Sequence, residues 1–175
     1  DQVQLAVAIH APGRHSPDAP ALRLLNVLLG ENTSSRLWSS LREDLGLCYD
    51  VGSDITSLHD TGLLHIFAGV DPDKLERALK TLRSELLSLA AKPVSRRTLS
   101  EALEYTTASI RMALETPSSH MTSMAECLLF HGRWIPIDDY YRRLEAVTPE
   151  AIHTLAKSLF KPGNLTLALV GPVPN

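Results

Sequence analysis

An arginine and a tyrosine, seven positions apart, are the side chains of this 175-residue sequence best suited to chemistry: Arg42 and Tyr49. A guanidinium supplies a fork of permanently cationic donors and a phenol a neutral donor, a combination that suits a peptide carbonyl or the oxyanion formed during hydrolysis. Gly46 between them permits a sharp reversal, so both side chains can point into one crevice. On the pattern alone a structural role is still favoured, with Arg42 complementing a helix C-terminus and Tyr49 packing on a strand beside Val51.

The histidines do not form a zinc-peptidase motif. Neither HExxH nor HxxEH occurs, and no two histidines are three or four positions apart. His59 and His65 flank a predicted turn and could meet across a hairpin, but no third ligand is evident. We therefore predict no metal in this chain. The seven histidines are His10, His15, His59, His65, His120, His131 and His153.

Other catalytic motifs are missing as well. No GxSxG elbow and no phosphate-binding glycine loop occurs. Cys48 enters a predicted strand with no histidine tied to it, which is typical of a small apolar residue rather than a nucleophile. Carboxylate pairs such as Glu43 with Asp44 are interpreted as solvated faces. The sequence by itself contains no complete catalytic set.

Composition indicates one globular domain. Hydrophobic residues make up 44% and charged residues 21%, and the net charge is −3 with both signs interleaved. The absence of a basic block argues against a nucleic-acid partner, and no apolar run has the length of a membrane span. Because the chain opens Asp1-Gln2-Val3, without an initiator methionine, we expect residues 1–175 to be a single domain excised from a longer polypeptide.

Apolar periodicity predicts an α+β fold, with a small, mostly antiparallel sheet packed against several helices. Strands are predicted at 3–9, 48–56, 63–70 and 165–170, the last returning from the far end of the chain. A deeply buried helix is predicted at 19–29, followed by a shorter one that ends near Glu43 and then by about 90 mostly helical residues from Asp71 onward.

Capping and breaking residues set the expected helix limits. Asp18, Ser95 and Thr148 are predicted N-caps, and Gly30 is predicted to end the first helix. A later helix carries apolar residues at helical spacing, which predicts that they share one face: Met121, Met124, Ala125, Leu128 and Leu129.

Three segments together carry a family resemblance. They read LLNVLLG at 24–30, SSRL at 34–37 and LREDLGLCYDV at 41–51. In this order and spacing they resemble the carboxy-terminal domain of the pitrilysin/insulinase family of metallopeptidases, which includes mitochondrial processing peptidase. The later helices and the closing LALVG strand are compatible with that domain. Cys48 stands where the family usually has alanine, and Asp50 where serine is common, so Asp50 could form an ion pair with Arg42.

The resemblance implies a division of labour. In that family the zinc, its histidines and the general-base glutamate belong to a homologous amino-terminal domain, and the carboxy-terminal domain closes over the peptide as the other half of a clamshell. An arginine and a tyrosine of this second domain bind the substrate backbone near the scissile bond. Arg42 and Tyr49 occupy those two positions, so the resemblance favours a substrate-binding role. Ser35 and Arg36 also match, although capping and packing explain them.

The resemblance also implies partners. The chain itself is expected to hold no cofactor, with zinc in an HxxEH-bearing domain or subunit of the same family, and a homodimer or heterodimer is possible. The alternative is a non-catalytic scaffold domain of the same fold, like the family's core subunits in a respiratory cytochrome complex. Retention of Arg42 and Tyr49 favours the peptidase role. The sequence leaves the compartment open, with the bacterial periplasm and cytoplasm as the expected locations.

Overall fold

A four-stranded, wholly antiparallel sheet organises the protein, whose computed structural model describes residues 2–173. The strand order is β2-β3-β1-β4, so the last strand pairs with the first. This arrangement confirms the predicted α+β class and the predicted return of the final strand. The strands are β1 (Val3–Pro12), β2 (Cys48–Ser57), β3 (Thr61–Val70) and β4 (Leu165–Val170).

Side-chain alternation along β1 gives the sheet one covered face. Val3, Leu5, Val7 and Ile9 are buried, whereas Gln4, Ala6 and His10, which alternate with the buried set, are exposed. Successive side chains of a strand point to opposite faces, so the buried set packs into the core with the inward residues of the helices.

The helical part of the chain contains two π-helical segments besides its α-helices. Helix α1 continues without interruption into the first π-helical segment, Val27–Glu31, and the second π-helical segment is Trp38–Asp44. A short 3₁₀ turn, Pro72–Lys74, leads into α2. The α-helices are α1 (Ala19–Asn26), α2 (Leu75–Ala91), α3 (Arg96–Ala113), α4 (Pro117–His131), α5 (Ile137–Glu145) and α6 (Pro149–Leu159).

Two of the three predicted N-caps form capping hydrogen bonds. The Ser95 hydroxyl accepts from the Thr98 amide at 3.0 Å, and the Thr148 hydroxyl accepts from the Ala151 amide at 3.1 Å. Asp18 stands at the N-cap of α1, but its side chain makes no capping hydrogen bond and its backbone is already helical. The predicted N-cap position of Asp18 is therefore confirmed, but its side chain does not cap the helix.

Gly30 does not end the first helix, contrary to the prediction. The helical chain runs across it to Glu31, and its backbone is not left-handed. A Cβ at this position would lie 2.6 Å from Ser53 Oγ and 2.7 Å from the Ser53 amide nitrogen. Glycine is thus required for the close approach of the first π-helical segment to β2. The Ser53 hydroxyl also donates to Asn26 Oδ1 at 2.7 Å.

Helix α4 packs unlike the other helices. None of its residues is buried, and the predicted apolar face points to solvent, with Met121 65% and Leu129 77% exposed. Its opposite, hydroxyl-rich side lines a cavity of about 900 Å³ between α4 and the rest of the domain. Within residues 2–173, no helix combines the length and apolar character that crossing a membrane requires.

Candidate functional site

A tight reversal connects the second π-helical segment to β2 and carries both candidate residues. Arg42 lies in the last turn of that segment. Gly46 then adopts φ +56°, and the Leu47 amide donates to the Leu41 carbonyl at 2.7 Å, closing the turn. Glycine is favoured here because side chains strain a positive φ. π-Helical turns are rare and are found frequently at functional sites.

Buried leucines fix this reversal against the core. Leu41 is 1% exposed and Leu47 is 2% exposed, so both ends of the turn are anchored. Because Arg42 follows Leu41 directly, the same anchoring sets its starting position, and its side chain is half-buried. The turn therefore presents its polar residues on a rigid base.

Tyr49 projects from a β-bulge. In the β2–β3 ladder, Cys48 pairs with Val70 and Asp50 pairs with Gly69, which leaves Tyr49 as an extra residue between them. A bulge re-aims a side chain and is over-represented beside active sites. Tyr49 is accordingly 75% exposed, rather than packed in the strand as the pattern alone had suggested.

The structure brings Arg42 and Tyr49 together in a cation–π stack that also includes Trp38. The Arg42 guanidinium carbon lies 5.1 Å from the centroid of the Tyr49 ring and 4.0 Å from the centroid of the Trp38 ring. Both distances fall within the range of cation–π attraction. Sequence analysis did not identify Trp38 as a candidate. The signal it overlooked was the four-residue spacing between Trp38 and Arg42, which puts them on one face.

The charges around the pair leave Arg42 without a carboxylate partner. Within residues 2–173, Arg42 forms no salt bridge, so the ion pair with Asp50 that the sequence allowed is not formed. Both charges nevertheless act on the intervening thiol. Burial raises the pKa of Cys48, Arg42 opposes that shift, and Asp50 adds to it. The net rise keeps the thiol protonated, which agrees with a packing role.

A small cleft of about 220 Å³ adjoins Tyr49. Lys74 crosses one side of it, donating to the Gly46 carbonyl at 3.3 Å and to Asp71 Oδ2 at 2.9 Å. These bonds tie the glycine turn to the start of α2. The cleft is open beside Tyr49 and the neighbouring Cys48.

The neighbouring serine and arginine serve the fold. Arg36 donates to Glu85 Oε2 and to Ser88 Oγ, each at 2.8 Å, and so fastens the start of this region to α2. Ser35 is 2% exposed, and its hydroxyl finds no hydrogen-bond partner among the described residues. Neither side chain is available to a peptide at the surface in the way that Tyr49 is.

The histidines lie apart from this site. The ring centroid of His59 is 4.5 Å from that of His15, so His59 packs against His15 rather than against His65. The His15 ring centroid also lies 5.0 Å from that of His131. Burial, followed by His15 and Arg14, lowers the pKa of His131. Across residues 2–173, no group of three or more His, Cys, Asp or Glu side chains is arranged to hold a metal ion. The described residues therefore do not fit a zinc site.

The sequence profile described as "Peptidase M16 inactive domain" matches residues 1–105. The chain belongs to the peptidase M16 inactive-domain family. This confirms the resemblance drawn from the three sequence segments, which lie within the matched residues. It also agrees with the absence of a metal-binding group from the described part of this M16 domain.

Curated relatives of the M16 domain carry zinc-protease names. The chain is 32% identical over 154 residues to the uncharacterized zinc protease YmxG of Bacillus subtilis, covering 88% of this chain and 37% of that protein. An uncharacterized zinc protease of Streptomyces coelicolor is 29% identical over 174 residues, covering 97% of this chain and 37% of its own length. The chain thus spans just over a third of the length of these relatives.

Solved structures share the fold of this M16 domain. A peptidase M16 inactive domain from Pseudomonas fluorescens superposes with a TM-score of 0.88 at 21% identity, covering 99% of this chain and 42% of that one. A protease from Helicobacter pylori gives a TM-score of 0.86 at 23% identity, covering 98% and 41% of the two chains. At these identities the likeness establishes the fold alone.

Proposed function

We propose that this M16 domain is the substrate-binding half of a zinc metallopeptidase, in which Arg42 and Tyr49 hold the peptide backbone near the scissile bond. The observation that carries the proposal is the stack at the β2 bulge: a half-buried guanidinium without a carboxylate partner beside a tyrosine that is 75% exposed. Donors left free at a rigid surface turn suit a ligand that supplies acceptors, and a peptide backbone does so at every carbonyl.

The two side chains have complementary parts in this proposal. Arg42 donates charge-assisted hydrogen bonds to a substrate carbonyl oxygen, and the Tyr49 hydroxyl donates to the same oxygen or to a neighbouring one. Both interactions strengthen as the carbonyl oxygen gains negative charge, so they favour the transition state over the bound peptide. The anchored turn supplies the preorganisation that such stabilisation requires.

In the same proposal, the hydrolysis itself is carried out by an HxxEH-bearing domain or subunit outside this chain. That partner would supply the zinc ion and general base, while residues 1–175 bind and orient the peptide as one domain of the assembly. The zinc-protease names of the relatives support this division, as does the fraction of their length that the chain spans. The poor fit of the described residues to a metal supports it too.

The proposal is tested by measuring peptide cleavage by this chain alone and by this chain mixed with its HxxEH-bearing partner. We expect no zinc-dependent cleavage by the chain alone, and cleavage when it is combined with the HxxEH-bearing partner encoded in the same gene or operon. A stable complex that cleaves no peptide would instead support the scaffold alternative. Cleavage by the chain alone would contradict the proposed division of roles.

A further inference from the structure

We propose that Trp38 is a positioning residue for Arg42, holding its guanidinium in place by ring contact where a carboxylate would otherwise do so. This inference rests on the proposed function, because it matters for catalysis only if Arg42 binds the peptide. It extends that function by adding a third residue to the site, one that acts through Arg42 rather than on the substrate.

The stack orients Arg42 without consuming its donors. The guanidinium carbon is 4.0 Å from the Trp38 ring centroid and 5.1 Å from that of Tyr49, with Trp38 the closer ring. A cation over an aromatic ring is attracted to the ring face. The guanidinium N–H groups lie in the plane of the group and point outward from its edge, so ring contact leaves them available for a carbonyl oxygen.

Two other arginines of the chain are held by carboxylates, whereas Arg14 resembles Arg42 in lying over an aromatic ring, that of Phe130, at 3.7 Å. Arg23 forms a salt bridge with Glu31, and Arg36 Nε donates to Glu85 at 2.8 Å. A carboxylate fixes a guanidinium by occupying its N–H edge, which makes the edge unavailable to a ligand. A ring that contacts the face of the guanidinium fixes it while leaving that edge open, as an arginine that binds substrate requires.

Trp38 is suited to act as that platform. It opens the second π-helical segment, four residues before Arg42, and its half-buried ring packs against the core. The adjoining Leu37 is fully buried, so the backbone that carries the ring is anchored. Tyr49, by contrast, is largely exposed and remains free to contact the peptide.

A double-mutant cycle on the reconstituted enzyme tests the coupling. We expect Trp38→Leu to lower kcat/KM about fivefold or more, mainly through kcat, and Trp38→Phe to recover most of that loss because an aromatic face remains. With Arg42→Ala already present, Trp38→Leu should change kcat/KM by less than about twofold. Equal effects of Trp38→Leu in both backgrounds would overturn the inference. Trp134→Leu, at the other tryptophan, is the matched control.

Fluorescence of the 175-residue chain tests the stack without any activity measurement. The sequence has two tryptophans, so Trp134→Phe leaves Trp38 as its one indole fluorophore. In that background, Arg42→Ala should change the intensity and emission maximum of Trp38, and an unchanged spectrum would overturn the inference. A changed spectrum with full peptide turnover would refute the proposed function but not the stack. An unchanged spectrum with lost turnover would refute the stack but not the proposed function.

Discussion

The exposure of Tyr49 comes from the bulge at the start of β2. A regular ladder alternates side chains between the two faces, and the extra residue between Cys48 and Asp50 interrupts that alternation. The motif identified Arg42 and Tyr49 as candidates. The bulge could not be predicted, because it depends on the pairing register with β3. The residue types of β2 do not determine that register.

Tyr49→Phe should weaken the enzyme without weakening the fold. The change removes a hydroxyl donor from a surface ring, and losing one hydrogen bond to a developing charge is expected to lower kcat/KM about tenfold. Steady-state kinetics of the reconstituted enzyme, with a thermal melt of each variant, measure the two effects. Tyr105→Phe, on a ring that is 38% exposed in α3, is the matched control. Equal turnover by the Tyr49 and Tyr105 variants would exclude a donor role for Tyr49.

Cys48 should resist alkylation in the native protein. Burial raises the pKa of its thiol, so at mildly alkaline pH less of it is the reactive thiolate, and the side chain is only 9% exposed. We expect iodoacetamide to modify Cys127 first, since that side chain is half-buried and lines the larger cavity. Mass spectrometry of timed samples checks the order, and denatured protein should show no such difference.

The raised pKa of Cys48 also makes the stability of the fold depend on pH. A raised pKa in the folded chain means that the unfolded chain loses the thiol proton at a lower pH, so alkaline conditions favour unfolding. The stabilisation associated with the neutral thiol is fully present at low pH and is lost as pH rises through the pKa of the folded state. The same reasoning argues against Cys48 as a nucleophile at neutral pH.

The arrangement of strands and most helices followed from local patterns. Alternation predicted β1, and the hydroxyl caps at Ser95 and Thr148 formed as expected. Gly30 was misinterpreted because glycine ends helices and also allows close packing, and only the position of Ser53 in β2 distinguishes these roles. Such contacts join elements distant in sequence, which a local pattern does not describe.

Helix α4 shows the same limit on a larger scale. Its apolar spacing was recognised correctly, yet periodicity does not tell which face meets the domain. In the structure the polar face borders the cavity of about 900 Å³, and the apolar residues lie outside. Amphipathic helices ordinarily bury their apolar face, so this orientation could not be inferred from spacing alone.

Substitutions on the outer face of α4 should hardly affect stability. Leu129 is 77% exposed, so Leu129→Ser is expected to change the free energy of unfolding by less than about 0.5 kcal/mol. Leu25→Ala, at a fully buried position of α1, should cost about 2–5 kcal/mol. Urea denaturation of both variants makes the comparison. A loss at Leu129 as large as that at Leu25 would mean that the outer face of α4 is packed in solution.

For the molecule as a whole, the fold and the family are established, and the peptide-binding role is the proposal built on them. The sheet and its helices hold one reversal, between the second π-helical segment and β2, on a buried leucine base. That reversal collects Trp38, Arg42 and Tyr49 at the surface. The fold thus acts as a rigid support for a small cationic and aromatic site.

Peptide turnover by Arg42→Ala in the reconstituted enzyme tests the central claim most directly. Arg77→Ala is the matched control, since it removes the same charge from an exposed position of α2. We expect Arg42→Ala to lower kcat/KM about 100-fold or more, as for loss of one preorganised oxyanion donor, with an unchanged melting temperature. Turnover by Arg42→Ala equal to that of Arg77→Ala would contradict the account.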